Sequence, residues 1–229
     1  MGITQQIGAS SLIKPGVIDN TAARPASPYE GQVIFQKDTD QLLVWNGTAW
    51  VIPNSPAQNP QGLELITDAS FTTSTAVNVS NCFTSTYANY RLLVAIDAVN
   101  TSATRTINLR FRDSGGDDAN AIYTYSSASA GFGNTALNST LSGYSQTESK
   151  LTNHYYSGNT SSAMLDILQP FVATKRTMAS GSVRGGYASE DTLGMFGVAI
   201  DTAKSHTGFS IYPTAGNMTG SYYVYGYRD

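Results

Sequence analysis

Apolar and polar residues alternate along much of the chain, and this pattern is typical of strands with one buried face. Two stretches show it clearly, with apolar positions at Tyr90, Leu92, Val94, Ile96, Ile107, Leu109 and Phe111. Further strand-like stretches cover residues 62–67, 76–83, 121–126, 163–169, 178–186, 194–200, 208–212 and 222–228. No segment has a sustained helical period. About eight to ten strands over about 165 residues therefore predict an all-β, antiparallel two-sheet sandwich that is jelly-roll-like.

Three shorter strand signals lie nearer the N-terminus, at residues 32–36, 41–45 and 48–52. The dipeptide Asn46-Gly47 between the last two is the strongest short signal for a β-hairpin, because both residues tolerate a positive φ. We therefore expect a small β-meander here. Three short strands bury too little to be stable alone, so the meander is expected to pack on the rest of the chain or on other copies of itself.

The predicted domain boundary lies in residues 53–62, where three prolines and no apolar periodicity predict a semi-extended linker. The predicted domains are an N-terminal arm with the meander, residues 1–52, and the sandwich, residues 63–229. Residues 1–21 have no clear period, and they are interpreted either as an extended arm or as a disordered terminus.

Composition narrows the classes of protein that the chain can represent. The 229 residues carry only 13% charged side chains, with 13 cationic residues against 16 acidic ones, which argues against a nucleic-acid surface. No apolar run is long enough for membrane insertion, and the N-terminus lacks the pattern of a secretory signal. One cysteine, Cys82, leaves no internal disulfide and no thiolate metal cage. We therefore expect no metal and no cofactor.

Catalytic chemistry is weakly supported. The two histidines, His154 and His206, lie outside any hydrolase motif, at an expected strand end and in a polar turn. The acidic residues that could cleave sugars are Glu148, Asp166, Glu190 and Asp191. The last two are sequence neighbours and would point to opposite faces of a strand, which makes them a poor acid–base pair. The chain is therefore predicted not to be an enzyme.

An oxygen-rich segment contains Asp113, Asp117 and Asp118. Such a loop could hold Ca²⁺, but the spacing is not that of an EF-hand. The favoured interpretation is a solvated hairpin loop.

Tyrosines beside stretches rich in Ser and Gly are the candidates for a receptor-binding surface, because such residues give a large contact area at little entropic cost. They are Tyr123, Tyr125, Tyr144, Tyr155, Tyr156 and Tyr187. The alternative for each is packing at a sheet edge or between chains. At the C-terminus, Tyr223, Tyr225 and Tyr227 share one face of a predicted strand, which fits either an interface between subunits or core packing.

A module common in structural proteins of tailed bacteriophages resembles three segments of this chain, IKPGV (residues 13–17), ARPASPYEGQVIF (residues 23–35) and DTDQLLVWNGTAWV (residues 38–51). Residues 79–90 and 224–228 resemble, more loosely, the β-sandwich ends of such proteins. The resemblance implies a homotrimer on the virion exterior, held to other virion proteins by its N-terminal part, with the sandwich pointing outward. It implies no catalytic residue. The residues expected to attach or oligomerise the chain are Arg24, Pro25, Tyr29, Phe35, Trp45 and Trp50.

Two functions follow from this resemblance. The first is a short tail fibre or receptor-binding appendage whose sandwich contacts a glycan of the host surface, and the second is a capsid decoration or head-fibre protein. A depolymerase and a free lectin-like module remain as alternatives, and the latter predicts a stable monomer. The layout of an anchor followed by a head favours the fibre.

Overall fold

The computed structural model describes five parts of the chain, residues 15–53, 62–131, 137–154, 160–187 and 190–228. Over these residues the chain forms seventeen strands and one short 3₁₀ helix. The predicted all-β class is therefore confirmed. Two compact units divide between residues 60 and 61, which lie inside the segment expected to be a linker.

The first unit is built on a four-stranded sheet with the strand order β1-β2-β3-β4. Its elements are β1 (Gly16–Ile18), the 3₁₀ helix (Thr21–Ala23), β2 (Val33–Gln36), β3 (Gln41–Trp45) and β4 (Trp50–Val51). Strands β2 to β4 form the expected meander. The first strand was not predicted as a strand; it belongs to the segment interpreted as an arm, and it pairs in parallel with β2. At the β3–β4 hairpin Gly47 has a φ of 94°, a conformation that favours glycine.

The second unit is a sandwich of two antiparallel sheets. Its strands are β5 (Gly62–Ser74), β6 (Val77–Val79), β7 (Asn89–Val99), β8 (Arg105–Asp113), β9 (Gly116–Asp117), β10 (Tyr123–Gly131), β11 (Leu137–Gln146), β12 (Ser149–His154), β13 (Ser161–Leu168), β14 (Met178–Tyr187), β15 (Glu190–Ile200), β16 (Gly208–Pro213) and β17 (Met218–Arg228). The large sheet has eight strands in the order β11-β10-β15-β14-β13-β7-β17-β5. The small sheet has the order β12-β8-β16-β6, and β9 pairs with β8.

The core lies between the two sheets, where alternate residues of both point inward. Phe111 and Phe209 come from the small sheet, Tyr90 and Tyr222 come from the large sheet, and Phe83 lies in the loop before β7. The rings of Phe83 and Tyr90 are 4.8 Å apart, and those of Phe209 and Tyr222 meet edge to face at 5.9 Å. Such contacts add to the free energy gained by burying the rings, and they fix how the sheets sit on each other.

Apart from the two-residue strand β9, which lies in the expected acidic loop, two longer strands of the sandwich were not predicted, β11 and β12. The first has the sequence LNSTLSGYSQ and the second SKLTNH, so neither carries a run of branched apolar residues. Both obtain their backbone hydrogen bonds from a strongly patterned neighbour, β10 for the first and β8 for the second. Tertiary pairing therefore decides their conformation rather than their own propensity.

Candidate functional site

The sheet of the first unit has two apolar faces, and only one is buried. Ile34 and Leu43 are 1% and 3% exposed and point to the same side as the edge-to-face pair Trp45 and Trp50. The opposite side carries six apolar residues, none of which is buried: Val17, Val33, Phe35, Leu42, Val44 and Val51. We call these six residues the valine face.

Arg24 serves the first unit internally. Its Nε donates a hydrogen bond of 2.9 Å to Oε1 of Gln36, a side chain that is fully buried. The amide nitrogen of Gln36 donates in turn to Thr21 and Asp38. This network fixes the turn-rich segment before β2 against the buried side of the sheet. The Arg-Pro pair thus has a structural task, whatever the attachment role predicted for it.

The other expected attachment residues of the first unit are accessible to different degrees. Tyr29 is 70% exposed, the most open aromatic side chain of the unit. Phe35 lies on the valine face, and Trp45 and Trp50 are half-buried. A partner could therefore contact Tyr29 and Phe35 without any rearrangement of the sheet.

Two of the six tyrosines predicted to contact a receptor are in the core, so the prediction is wrong for Tyr123 and Tyr125. They are 0% and 4% exposed, because both point inward from β10. The hydroxyl of Tyr123 accepts a hydrogen bond from the backbone N–H of Phe111 and donates one to the carbonyl of Asp118. Burial raises the pKa of Tyr123 well above its usual value.

Tyr144 is the one predicted receptor tyrosine whose described side chain is open to solvent, with 76% exposure. It lies on β11, at the edge of the large sheet. Tyr155 and Tyr156 fall outside the described residues. The backbone of Tyr187 ends β14, and its side chain also lies outside the described part of the structure.

The acidic loop binds the ammonium group of Lys204. Nζ of Lys204 lies 2.6 Å from a carboxylate oxygen of Asp113 and 2.8 Å from one of Asp118, while Asp117 pairs with Arg112. The ammonium group takes the position between two carboxylates that a bound metal would need. Among the described residues no group of His, Cys, Asp and Glu could hold a metal ion.

His206 lies in a loop, but it is fully buried, so the expectation of a polar turn is wrong. Its Nδ1 lies 2.9 Å from Oγ1 of Thr177, and its Nε2 lies 3.6 Å from Oδ2 of Asp118. A hydroxyl, an imidazole and a carboxylate in this order are the parts of a nucleophile triad. Thr177 and His206 are 0% exposed and Asp118 is 2% exposed. Because all three residues are buried, no substrate reaches them in this conformation. Their contacts instead connect separate segments of the core.

The candidate sugar-cleaving carboxylates are tied to cations on separate parts of the sandwich. Asp166 accepts two hydrogen bonds, of 2.8 and 2.9 Å, from the guanidinium group of Arg91. Glu148 pairs with Arg110, and Asp191 pairs with Arg184. Hydrogen bonds from Arg91 outweigh the effect of burial and lower the pKa of Asp166, so this group stays ionised and is a poor general acid. The side chain of Glu190 is not described.

The outer face of the large sheet is the most extensive apolar surface of the second unit. Six of its apolar side chains are between 39% and 74% exposed, and Leu93 is half-buried. They are Leu93, Met164, Leu168, Met178, Leu193, Met195 and Tyr223. The pairing of the strands makes a row from Tyr223 through Leu93, Met164 and Ser182 to Met195. We call these seven residues the methionine face.

A groove of about 340 Å³ opens within the methionine face. Small side chains form its floor, at Ala95, Ser162 and Ser182, and longer ones form its walls, at Leu93, Met164, Arg184, Leu193 and Tyr223. Contiguous exposed apolar surface of this kind marks a contact site more often than scattered apolar residues do. The sequence contained a signal for it, because several strands are apolar in both phases, as at Leu92-Leu93 and Met164-Leu165.

Over the described residues the fold is a β-sandwich with a small additional β-unit, and its prominent surface features are two exposed apolar faces. Comparison with family models, curated proteins and solved structures finds no match to this chain. Within the described residues no helix is long and apolar enough to cross a membrane.

Proposed function

We propose that this chain is a structural subunit of a bacteriophage particle. In this proposal it forms a short trimeric fibre or receptor-binding appendage on the virion exterior and attaches through its first unit. The observation that carries the proposal is the valine face, because a sheet of four short strands with two apolar sides is incomplete without a covering partner. The partner is another virion protein or a further copy of the chain.

The sequence resemblance supports the same assignment, because residues 23–50 include β2, β3 and the start of β4 of the first unit. The side chains of this segment divide into two groups. Arg24 and Gln36 hold the unit together, whereas Tyr29, Phe35 and Leu42 are left accessible. Such a division suits a module that folds in one way and docks through its remaining apolar side.

The sandwich would then be the part that meets the host. Tyr144 is the remaining candidate for contact with a surface glycan, because its ring is open at the edge of the large sheet. Aromatic rings offer a flat apolar area with a polar tip, which suits sugar faces. Replacement Tyr144→Ala is expected to weaken adsorption to host cells while leaving the thermal unfolding temperature within about 1 °C, since exposed substitutions change stability little. Adsorption equal to that of the original protein would exclude Tyr144 as the contact.

The role in the particle is tested by immunogold electron microscopy with antibodies raised against the purified chain. Labelling at fixed positions on the outside of intact phage particles is the expected result. Particles lacking the gene for the chain provide the control for antibody specificity. If intact particles and disrupted particles both remain unlabelled, the chain is not a virion component and the proposal is overturned.

A second candidate, capsid decoration, is favoured by the methionine face, since a broad apolar sheet surface also suits docking on a flat shell. Gold particles on the head would support decoration, and gold particles on the tail would support the fibre. Decoration also predicts that particles lacking the chain lose their DNA at a lower temperature than complete particles. Equal heat resistance of the two kinds of particle would argue against this candidate.

A further inference from the structure

We propose that the methionine face is the contact between sandwich units of neighbouring copies of this chain, with the Met195 side chain of one copy seated in the groove of the next. The inference deepens the proposed function, because it identifies the surface through which the second unit would assemble. It rests on three properties of the face: the ion pairs beside it, its size, and the presence of both a projecting side chain and a groove.

Four charged groups on the outer side of the large sheet are paired with each other within the chain. Arg91 is bound through both ends of its guanidinium group to Asp166, and Arg184 lies 2.8 Å from Asp191. Two copies of a surface with unpaired charges would bring like charges together. The charges of these two pairs cancel locally, which reduces the penalty for the approach of a second copy. Asp68, opposite Tyr223 on β5, and Asp97, on β7, are exposed acidic residues on the same side of the sheet.

The face has the size of an interface between folded proteins. It spans five adjacent strands, from β17 to β15, and about seven residues along β13. With strands about 4.8 Å apart and a rise of about 3.4 Å per residue, the flat area is roughly 600 Å². A stable interface buries roughly 800 Å² of accessible surface on each partner, and side chains that project from a sheet raise the accessible area above the flat value.

The relief of the face is self-complementary. Met195 is 74% exposed, the most exposed apolar side chain of the face, and it stands beside the groove without lining it. Ser162 and Ser182 leave a depression on the neighbouring strands. Methionine is flexible and polarisable, so it fills irregular cavities well. Because Met195 and the groove lie on the same face, each copy can insert its Met195 into a neighbour and accept the Met195 of a neighbour. Such contacts can form either a closed ring or a two-fold pair.

The first test compares two lysine substitutions on opposite sides of the sandwich. Met195→Lys would force a charge into the groove, whereas Asn78→Lys adds the same charge to the exposed part of β6 in the small sheet. Analytical ultracentrifugation of the full chain should show an assembly for the original protein and for Asn78→Lys. For Met195→Lys the concentration at half-dissociation should rise at least about tenfold. Circular dichroism and thermal unfolding of both variants check that they are folded.

The second test traps the contact covalently in the variant Met195→Cys/Ser162→Cys. Within one chain these two positions are about 12 Å apart, two strands across and two residues along, so an internal disulfide cannot form. Mild oxidation with copper phenanthroline should therefore link chains into dimers or closed trimers on a non-reducing gel. The single variant Met195→Cys is the control for random pairing. Native Cys82 is 2% exposed, and burial raises its pKa to about 12, so it should stay unreactive.

The outcomes separate this inference from the function on which it rests. If Met195→Lys remains assembled and the double-cysteine variant gives no more linked chains than the single variant, the methionine face is not the contact, whatever the gold labelling of virions reports. A monomeric original protein at all concentrations also overturns the inference. Unlabelled virions overturn the proposed function. The mass and cross-linking results still test the contact between copies in that case.

Discussion

The two outer faces of the sandwich differ sharply, although both sheets contribute to the same core. On the small sheet, Arg110 packs over the ring of Tyr212, and both side chains reach Glu148. Arg112 and Asp117 form a second pair beside them. These long side chains cover the sheet so well that Asn108 and Ser210 beneath them are buried.

The large sheet has a comparable cluster on part of its outer side, where Arg91 packs over the ring of Tyr227 and both side chains reach Asp166. The methionine face of the same sheet has no such cover. Met195 and Leu193 extend from β15 into solvent with 74% and 54% exposure, although a side chain buried on the other side of the same strand, Phe196, is 3% exposed. Because only 13% of the residues are charged, few charged side chains are available to cover the surface. Charged side chains cover the small sheet and also flank the methionine face of the large sheet, but the seven residues of the methionine face include none. The comparison therefore distinguishes the outer face of the small sheet, which the chain covers with its own side chains, from the methionine face, which it leaves exposed.

Neighbouring residues on one strand give the largest expected contrast. Leu165 is fully buried and Met164 is 44% exposed, on opposite faces of β13. Leu165→Ala should lower the free energy of unfolding by about 2–5 kcal/mol, because it leaves a cavity in the core. Met164→Ala should change it by about 0.5 kcal/mol or less when the chain is a monomer. Urea unfolding at low protein concentration measures both, and equal losses would show that the large sheet is buried on neither side or on both.

Removal of the buried cation should have the next largest effect. Lys204→Met leaves the buried carboxylate of Asp118 and the neighbouring Asp113 without their shared ammonium group. A fully buried pair that is broken costs about 3–5 kcal/mol, and partial exposure of Lys204 reduces this to about 1–3 kcal/mol. The same substitution at the exposed Lys37, Lys37→Met, is the matched control, with a loss below about 1 kcal/mol. Similar losses for both variants in chemical unfolding would contradict the role given to Lys204.

The buried histidine should make the sandwich sensitive to mild acid. Burial holds the pKa of His206 below its ordinary value of 6.5, so the unfolded chain takes up a proton first as the pH falls. Stability should therefore decline as the pH drops below about 6.5, before the carboxylates begin to protonate. The hydrogen bond from Lys204 also lowers the pKa of Asp113. For Asp118 burial acts to raise the pKa, but hydrogen bonds from Lys204 and Asn120 outweigh it, so the pKa is lowered as well. The contribution of both carboxylates is lost only in stronger acid.

The variant His206→Gln isolates this effect from the general response to acid. It should be less stable than the original protein at pH 7, because it loses the ring contact with Phe111. Between pH 7 and pH 5 its unfolding temperature should change less than that of the original protein. Parallel curves for the two proteins over this range would assign the acid sensitivity to other groups.

A substitution in the charged cluster on the small sheet should have the smallest effect on the free energy of unfolding. Tyr212→Phe removes a hydroxyl that donates a 2.8 Å hydrogen bond to Glu148 but leaves the ring under Arg110. The expected loss in free energy of unfolding is about 0.5–1.5 kcal/mol, with no change in the mass of the assembly. If this variant dissociated the assembly, the small sheet and not the large one would carry the contact.

The sequence was sufficient for the fold class and insufficient for the surfaces, for reasons that particular residues make clear. Alternation located β7 and β8 because one face of each is strongly apolar. Tyr123 and Tyr125 were expected at the surface because they lie beside a stretch rich in Ser and Gly, and composition alone does not show that β10 turns both rings into the core. Ser-rich β11 carried no signal of its own, because its conformation depends on pairing with β10. Long-range pairs such as Lys204 with Asp113 cannot be inferred from spacing.

The solution mass of the full-length chain, measured by light scattering over a range of concentrations, tests the central claim most directly. The proposed trimer predicts an assembly of about three times the chain mass of 24.4 kDa, and the contact through the methionine face requires at least two copies. A particle of 24.4 kDa at every concentration would contradict it. In that case the exposed apolar faces of the isolated chain would not be contacts between its copies.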